Sequence, residues 1–139
     1  MMKKVLFLVI ALVLCLNLSV FASPASISEF EAGNDPSILV LTNPLYPAVT
    51  SPIGEFFVSG YCKAGASVSI YKLSATGVYE LTDFTAEIGA SGIFFHKLFL
   101  TPGRNSYIVR AEMPDGKYQQ TKFDVLFLGG SFVDYVKSF

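Results

Sequence analysis

The stretch that decides the fold is Ser91–Ala111, which reads SGIFFHKLFLTPGRNSYIVRA. Large apolar side chains recur at alternate positions in two runs of this stretch, and Thr101-Pro102-Gly103 separates the runs. Alternate residues of an extended strand point to the same side, so each run has one apolar face. Those faces carry Phe94, Leu98 and Leu100 in the first run and Tyr107, Val109 and Ala111 in the second. The pattern predicts two half-buried strands joined by a turn.

Apolar runs separated by turn residues continue in both directions along the chain. Ala64-Gly65, Ala90-Ser91-Gly92 and Pro114-Asp115-Gly116 are turn signals between apolar runs of about five to eight residues. The predicted strands are Ser37–Thr42, Glu55–Cys62, Ala66–Leu73, Val78–Phe84, Ile93–Leu100, Ser106–Met113 and Lys117–Leu128. About seven short antiparallel strands at this spacing favour an all-β protein, a sandwich of two sheets.

The stretch VSGYCKAGASVSIY (Val58–Tyr71) resembles the opening of bacterial immunoglobulin-like domains, where a Val-x-Gly strand, a glycine turn and a Val-x-Val strand follow one another. The second half is similar to the same family. The matching positions are Gly92, Phe94, Leu98, Leu100, Gly103, Asn105, Val109 and Ala111. The resemblance covers about Ser37–Leu128 and implies an immunoglobulin-like β-sandwich. Such domains occur as accessory modules of secreted glycoside hydrolases and in surface adhesins, so it implies a binding or structural role.

Six residues are expected to shape the turns of this sandwich. They are Gly65, Gly92, Gly103, Asn105, Asp115 and Gly116. Glycine accepts the positive φ that tight turns need, and short polar side chains bond the nearby backbone. We expect Asn105 to bond the backbone across the bend at Gly103.

Residues 1–22 have the features of a signal peptide. Lys3-Lys4 precedes the apolar run Val5–Leu16, and Val20-Phe21-Ala22 resembles a cleavage site. An uncleaved membrane anchor is the alternative, and only in that form is contact with a membrane expected. We therefore expect a bacterial protein that is secreted or held in the cell envelope.

Three segments are expected after the signal. Residues 23–36 are small and polar and are predicted to be a flexible leader, residues 37–128 form the sandwich, and residues 129–139 form an apolar tail. Cleavage leaves Cys62 as the only cysteine, so no intrachain disulfide is expected. The domain must then hold together by packing.

Composition and the scarcity of reactive residues argue against several functions. The 10 basic and 11 acidic residues give a net charge of −1, which excludes a nucleic-acid binder that depends on a basic patch. The single histidine, His96, is in phase with apolar neighbours and is interpreted as a partly buried strand residue. Cys62 is interpreted as a buried thiol, with a reactive thiol or an intermolecular disulfide as the alternative. We assign no catalytic, cofactor-binding or metal-binding residue and expect a protein that is not an enzyme.

The apolar residues in the opposite phase need an explanation, because they face away from the predicted core. The candidate binding face comprises Phe57, Tyr61, Tyr71, Phe95 and Phe99, and Ile93, Leu126 and Leu128 share its phase. Three interpretations remain open: the C-terminal tail covers these groups, a protein partner binds them, or carbohydrate stacks on them. The sequence favours an exported, non-catalytic binding module that contacts an envelope or extracellular protein. A carbohydrate-binding accessory module is the alternative.

Overall fold

A computed structural model of the chain describes residues 3–4 and 23–129. Every regular element between residues 23 and 129 is a β-strand, so the predicted all-β class is confirmed. The strands are β1 (Ser26–Ile27), β2 (Leu39–Asn43), β3 (Ala48–Ser51), β4 (Glu55–Cys62), β5 (Ser67–Leu73), β6 (Tyr79–Glu87), β7 (Ile93–Phe99), β8 (Gly103–Glu112) and β9 (Tyr118–Phe127). In this part of the chain, no helix is long and apolar enough to cross a membrane.

The strands form two sheets. The larger sheet has the order β1-β6-β5-β8-β9-β3, and the smaller sheet has the order β2-β4-β7. Neighbouring strands are antiparallel, except that β3 runs parallel to β9. The chain therefore changes sheet between β2 and β3, where Pro44 and Pro47 flank the connection.

The two sheets enclose one hydrophobic core. Val58 and Phe94 enter it from the smaller sheet, and Val109 and Phe123 enter it from the larger one. The buried members are Ile38, Leu39, Val58, Cys62, Ala66, Val68, Ile70, Ile88, Phe94, Leu98, Leu100, Tyr107, Val109, Ala111, Phe123 and Val125. Strands β4, β5, β7, β8 and β9 contribute alternate residues, as the period-two pattern predicts. Burial of each large side chain contributes very roughly 1.5–3 kcal/mol before chain entropy is subtracted.

The seven predicted strands correspond to β2 and to β4 through β9, with ends that differ by a few residues. Two strands were not predicted. One is β3, four residues long, which lies between prolines at positions 47 and 52. The other is β1, which lies in the segment predicted to be a flexible leader.

Residues 23–36, predicted as that flexible leader, lie along the outer side of the larger sheet. Strand β1 pairs with β6, and the Asn34 amide donates to the Tyr118 carbonyl at 3.0 Å. The Gln120 side-chain amide donates to the Glu31 carbonyl at 2.7 Å. The segment is bonded to the sheet through its backbone, and its side chains face water except for Ile27, which is buried.

Predictions for the two ends concern residues that lie outside the described part of the chain. The signal peptide spans residues 1–22, of which the structure describes only Lys3 and Lys4. The apolar tail from residue 130 to residue 139 also lies outside it. Gly129 is the last described residue, and it lies against the Pro102 ring, just beyond the end of β7.

Candidate functional site

The outer face of the smaller sheet carries most of the predicted binding residues. Phe57 and Tyr61 project from β4, and Phe95 and Phe99 project from β7. Tyr61 is 55% exposed, Phe95 62% and Phe99 69%. Their in-between neighbours Phe56, Val58, Phe94 and Leu98 pack into the core. Alternation along the strands therefore places aromatic side chains on both sides of this sheet.

Cross-strand register brings these side chains together on the outer face. Tyr61 of β4 is paired with Val40 of β2 on one side and with Ile93 of β7 on the other, so the three form one apolar row. The rings of Phe57 and Phe95 stack with their centroids 5.1 Å apart and their planes 15° from parallel. We call the set Val40, Phe57, Tyr61, Ile93, Phe95 and Phe99 the outer apolar face.

A charged pair lies at one end of the outer apolar face. The Lys97 ammonium is 3.4 Å from a Glu55 carboxylate oxygen, and it also lies 5.2 Å from the centroid of the Phe99 ring. Both side chains of the pair are partly exposed, so the ion pair adds little to stability. Its effect is to hold a positive charge beside the apolar groups.

Tyr71 does not belong to this surface. It lies on β5 in the larger sheet and is fully buried, although its phase points away from the main core. There it packs with Ile27, Tyr79 and Ile108, and its hydroxyl donates to the Pro24 carbonyl at 2.6 Å. The segment predicted as a leader covers Tyr71, which makes it a structural residue rather than a contact residue. Burial raises the pKa of its phenol.

Two other residues of the predicted outward phase also lie away from the outer apolar face. Leu126 is exposed on the larger sheet, and Leu128 follows β9 and is half-buried. The sequence prediction also missed an exposed loop beside the face. Leu45 and Tyr46 protrude there, next to a groove of about 310 Å³ that Val40 also lines. The adjacent prolines signal a turn, but they give no sign that the turn is an apolar projection.

The predicted turn residues lie at chain reversals. Gly65, Gly92, Gly103 and Gly116 all have positive φ, and an Asp115 carboxylate oxygen accepts from the Lys117 amide at 3.0 Å. Asn105 is almost completely buried beside the bend at Gly103. Its side-chain oxygen accepts from the Thr101 amide at 3.0 Å, and its side-chain nitrogen donates to the Thr101 carbonyl at 2.8 Å. The Asn105 side chain thus satisfies backbone groups of the connection that carries the chain from one sheet to the other.

Cys62 and His96, the two residues with the most reactive side chains, are both packed against other residues of the fold. Cys62 is buried, and that burial raises the pKa of its thiol to about 12, so the reactive thiolate is scarce at neutral pH. The His96 ring is half-buried and stacks on Phe84, with ring centroids 4.2 Å apart. Among the described residues, no group of three or more histidine, cysteine, aspartate or glutamate side chains could hold a metal ion.

No protein-family model matches the chain, and no curated protein matches it either.

Proposed function

We propose that the chain is an exported, non-catalytic binding module that contacts a protein partner in the cell envelope or outside the cell. The observation that carries the proposal is the outer apolar face. Five of its side chains are more than half exposed, namely Val40, Tyr61, Ile93, Phe95 and Phe99. A contiguous apolar surface with a polar rim marks an interaction site in soluble proteins.

The composition of the face suits a protein partner. Phenylalanine and tyrosine are enriched at the centres of protein interfaces, where they act as anchors. The stacked pair Phe57–Phe95 is already ordered in the free chain, which lowers the entropy lost on binding. Lys97 and Glu55 supply a charged rim that fixes orientation more than affinity.

We propose further that the fold is immunoglobulin-like, of the bacterial type that the sequence resembles. The strand order supports this assignment. Strands β2, β4 and β7 lie in one sheet, and β5, β8 and β9 lie in the other, with β6 beside β5. In immunoglobulin domains, strands A, B and E lie in one sheet and strands C, F and G lie in the other, and β2, β4, β7 and β5, β8, β9 correspond to them in that order. The difference from the constant type is that β6 pairs with β5, whereas strand D lies in the sheet of strand E.

Export is proposed from the basic and apolar start of the chain, residues 3–22. The test is to isolate the protein from outside the cytoplasm and to identify its N-terminal peptide by mass spectrometry. Cleavage after Ala22 is the expected result, and an intact chain that stays in the cytosol contradicts the proposal.

A photo-crosslinking residue in place of Tyr61 or Ile93 tests the protein contact. We expect both positions to cross-link to the same protein in cells that make this chain. The control is the same residue in place of Thr76, which is exposed in the turn between β5 and β6. Equal cross-linking from all three positions, or none from Tyr61 and Ile93, contradicts the proposal.

Carbohydrate binding is the second candidate, because three exposed aromatic rings, those of Tyr61, Phe95 and Phe99, share one face. Affinity electrophoresis in polysaccharide gels distinguishes the two. Retardation that Tyr61→Ala and Phe95→Ala abolish supports the carbohydrate function. Unchanged migration in every gel, together with a specific cross-link, supports the protein contact.

A further inference from the structure

Strand β7 is an edge strand of the smaller sheet. It pairs with β4 along one side, and within residues 23–129 no strand pairs with its other side. Such an edge presents a row of backbone N–H and C=O groups to which another strand can add. Strand β7 has seven residues, so it is not one of the very short edge strands by which proteins limit such pairing.

The register between β4 and β7 shows which backbone groups face the open edge. The Leu100 amide donates to the Gly54 carbonyl at 2.8 Å, so that pair is hydrogen-bonded. Hydrogen-bonded and non-bonded pairs alternate along an antiparallel ladder, and this register has no bulge. The N–H and C=O groups of Phe95, Lys97 and Phe99 therefore point away from β4, toward the open edge.

We infer that a second copy of this chain binds at this edge, with the two β7 strands antiparallel across a two-fold axis. The sequence of β7, IFFHKLF, has apolar residues at matching distances on both sides of His96, except that Lys97 mirrors Phe95. Antiparallel pairing centred on His96 sets each residue of β7 opposite the residue of the other copy that lies equally far from His96 on its other side. The opposed pairs are Ile93 with Phe99, Phe94 with Leu98, and Phe95 with Lys97. Two of these three pairs are apolar on both sides, and the third joins an ammonium to an aromatic ring.

The pair of Lys97 with Phe95 of the second copy selects this register. An ammonium is attracted to the face of an aromatic ring, and the Lys97 ammonium already lies 5.2 Å from the Phe99 ring in the single chain. Pairing centred on Lys97 instead sets two ammonium groups directly opposite each other, which is unfavourable. Pairing centred on Phe95 sets Phe99 opposite Ser91, which precedes the strand.

The resulting dimer has one continuous sheet of six strands in the order β2-β4-β7-β7-β4-β2. Its interface is isologous and closed, so assembly stops at two copies. Self-association uses the backbone edge of β7 together with the side chains of Ile93, Phe95 and Phe99. The proposed partner contact uses the outer apolar face as a whole, and Tyr61 on β4 belongs to that contact alone. The dimer sets two copies of that face side by side, and the inference does not depend on the partner contact.

Sedimentation equilibrium of the chain recovered after export, over a wide concentration range, tests the dimer. Lys97→Pro and Lys97→Ala are the matched variants. Both remove the charge, but only proline removes the N–H that points to the open edge, and neither disturbs the bonds to β4. We expect Lys97→Ala to keep measurable self-association and Lys97→Pro to weaken it at least about tenfold beyond that, because ladder bonds are lost on both sides of the axis.

A charge pair at position 95 tests the register and does not depend on how well the proline variant folds. Phe95→Glu sets a carboxylate opposite Lys97 of the second copy, and Phe95→Lys sets an ammonium there. Each dimer contains this pair twice, so we expect Phe95→Glu to associate about tenfold more tightly than Phe95→Lys. Equal association of the two variants overturns the register.

Amide hydrogen exchange provides the residue-level readout. We expect the Phe95 and Lys97 amides to become protected as the concentration rises. Protection that does not depend on concentration means that a segment of the same chain occupies the edge, and it overturns the inference. A monomer at every concentration also overturns it, as does a folded Lys97→Pro variant that associates like Lys97→Ala. In both cases, the cross-link from Tyr61 still decides the proposed partner contact separately.

Discussion

The phenol of Tyr71 donates a 2.6 Å hydrogen bond to the carbonyl oxygen of Pro24, across 47 residues of chain. This bond joins the middle of the larger sheet to the segment that precedes the sandwich. Tyr71 also packs with Ile27 of that segment in a second, smaller cluster of buried side chains. Residues 23–36 are therefore part of the folded unit.

Tyr71→Phe tests whether this contact stabilises the fold. The variant keeps the packing, loses one hydrogen bond and leaves the Pro24 carbonyl without that donor, so we expect the free energy of unfolding to fall by about 1 kcal/mol. Urea denaturation measures it. Tyr61→Phe is the control, because Tyr61 is exposed, and it should leave the midpoint unchanged. Equal losses of stability in the two variants contradict a stabilising role for the hydrogen bond between Tyr71 and Pro24.

Asn105→Ala removes the side-chain bonds that close the bend between β7 and β8. The Thr101 amide and carbonyl then lose their partners next to the core, and we expect a loss of about 1–3 kcal/mol in the free energy of unfolding. Lys117→Ala serves as a control at an exposed position just before the neighbouring strand and should cost less than about 0.5 kcal/mol. A neutral Asn105→Ala variant means that the bend does not need these bonds.

The Cys62 thiol predicts a pH dependence of stability. Burial raises its pKa from 9.0 to about 12, so the folded state holds the proton over a range in which the unfolded chain has lost it. The folded state then binds more protons than the unfolded state, and stability falls as pH rises through that range. The contribution is fully present below about pH 9. Urea midpoints at pH 9 and pH 10 measure the slope, which should be flatter in Cys62→Ala.

Tyr107→Phe is the control for that slope. The pKa of the Tyr107 phenol is raised by burial from 10.0 to about 12, so its contribution is lost at higher pH than the onset for Cys62. Tyr107→Phe should keep the fall of the urea midpoint between pH 9 and pH 10. A Cys62→Ala slope equal to that of the unsubstituted chain contradicts the prediction.

Adjacent phenylalanines on β7 test the two sides of the smaller sheet. Phe94 is buried in the core and Phe95 is largely exposed. We expect Phe94→Ala to cost about 3–5 kcal/mol in the free energy of unfolding through cavity formation. We expect Phe95→Ala to cost less than about 1.5 kcal/mol, the value of its stacking on Phe57. Phe95→Ala should also bind less of a fluorescent hydrophobic dye, and equal dye binding contradicts an exposed face.

The inner faces of the strands were predictable from sequence because they depend on local periodicity. Val68 and Ile70 of β5 and Val109 of β8 alternate with residues of the other side, and all three are buried as expected. The turns were equally predictable from sequence, because glycine acts there through its own backbone and asparagine through its own side chain.

The burial of Tyr71 could not be predicted in the same way. Alternation assigns a residue to a side of its sheet, but it does not say what covers that side. The covering segment is polar, and its single buried apolar anchor, Ile27, gives no periodic signal. Strand β3 was missed for a related reason. It has four residues, and it is defined by its parallel pairing with β9 rather than by its own composition.

That parallel pair has a mechanical consequence. Residues 48–51 lie beside residues 124–127 and run in the same direction, although more than 70 residues of chain separate them. Tension that pulls β3 toward its start and β9 toward its end loads the bonds between them in shear. Bonds loaded in shear share the force and must break together, whereas a ladder opened from one end breaks bond by bond. Although β3 has only four residues, it resists the sliding of β9 out of the fold.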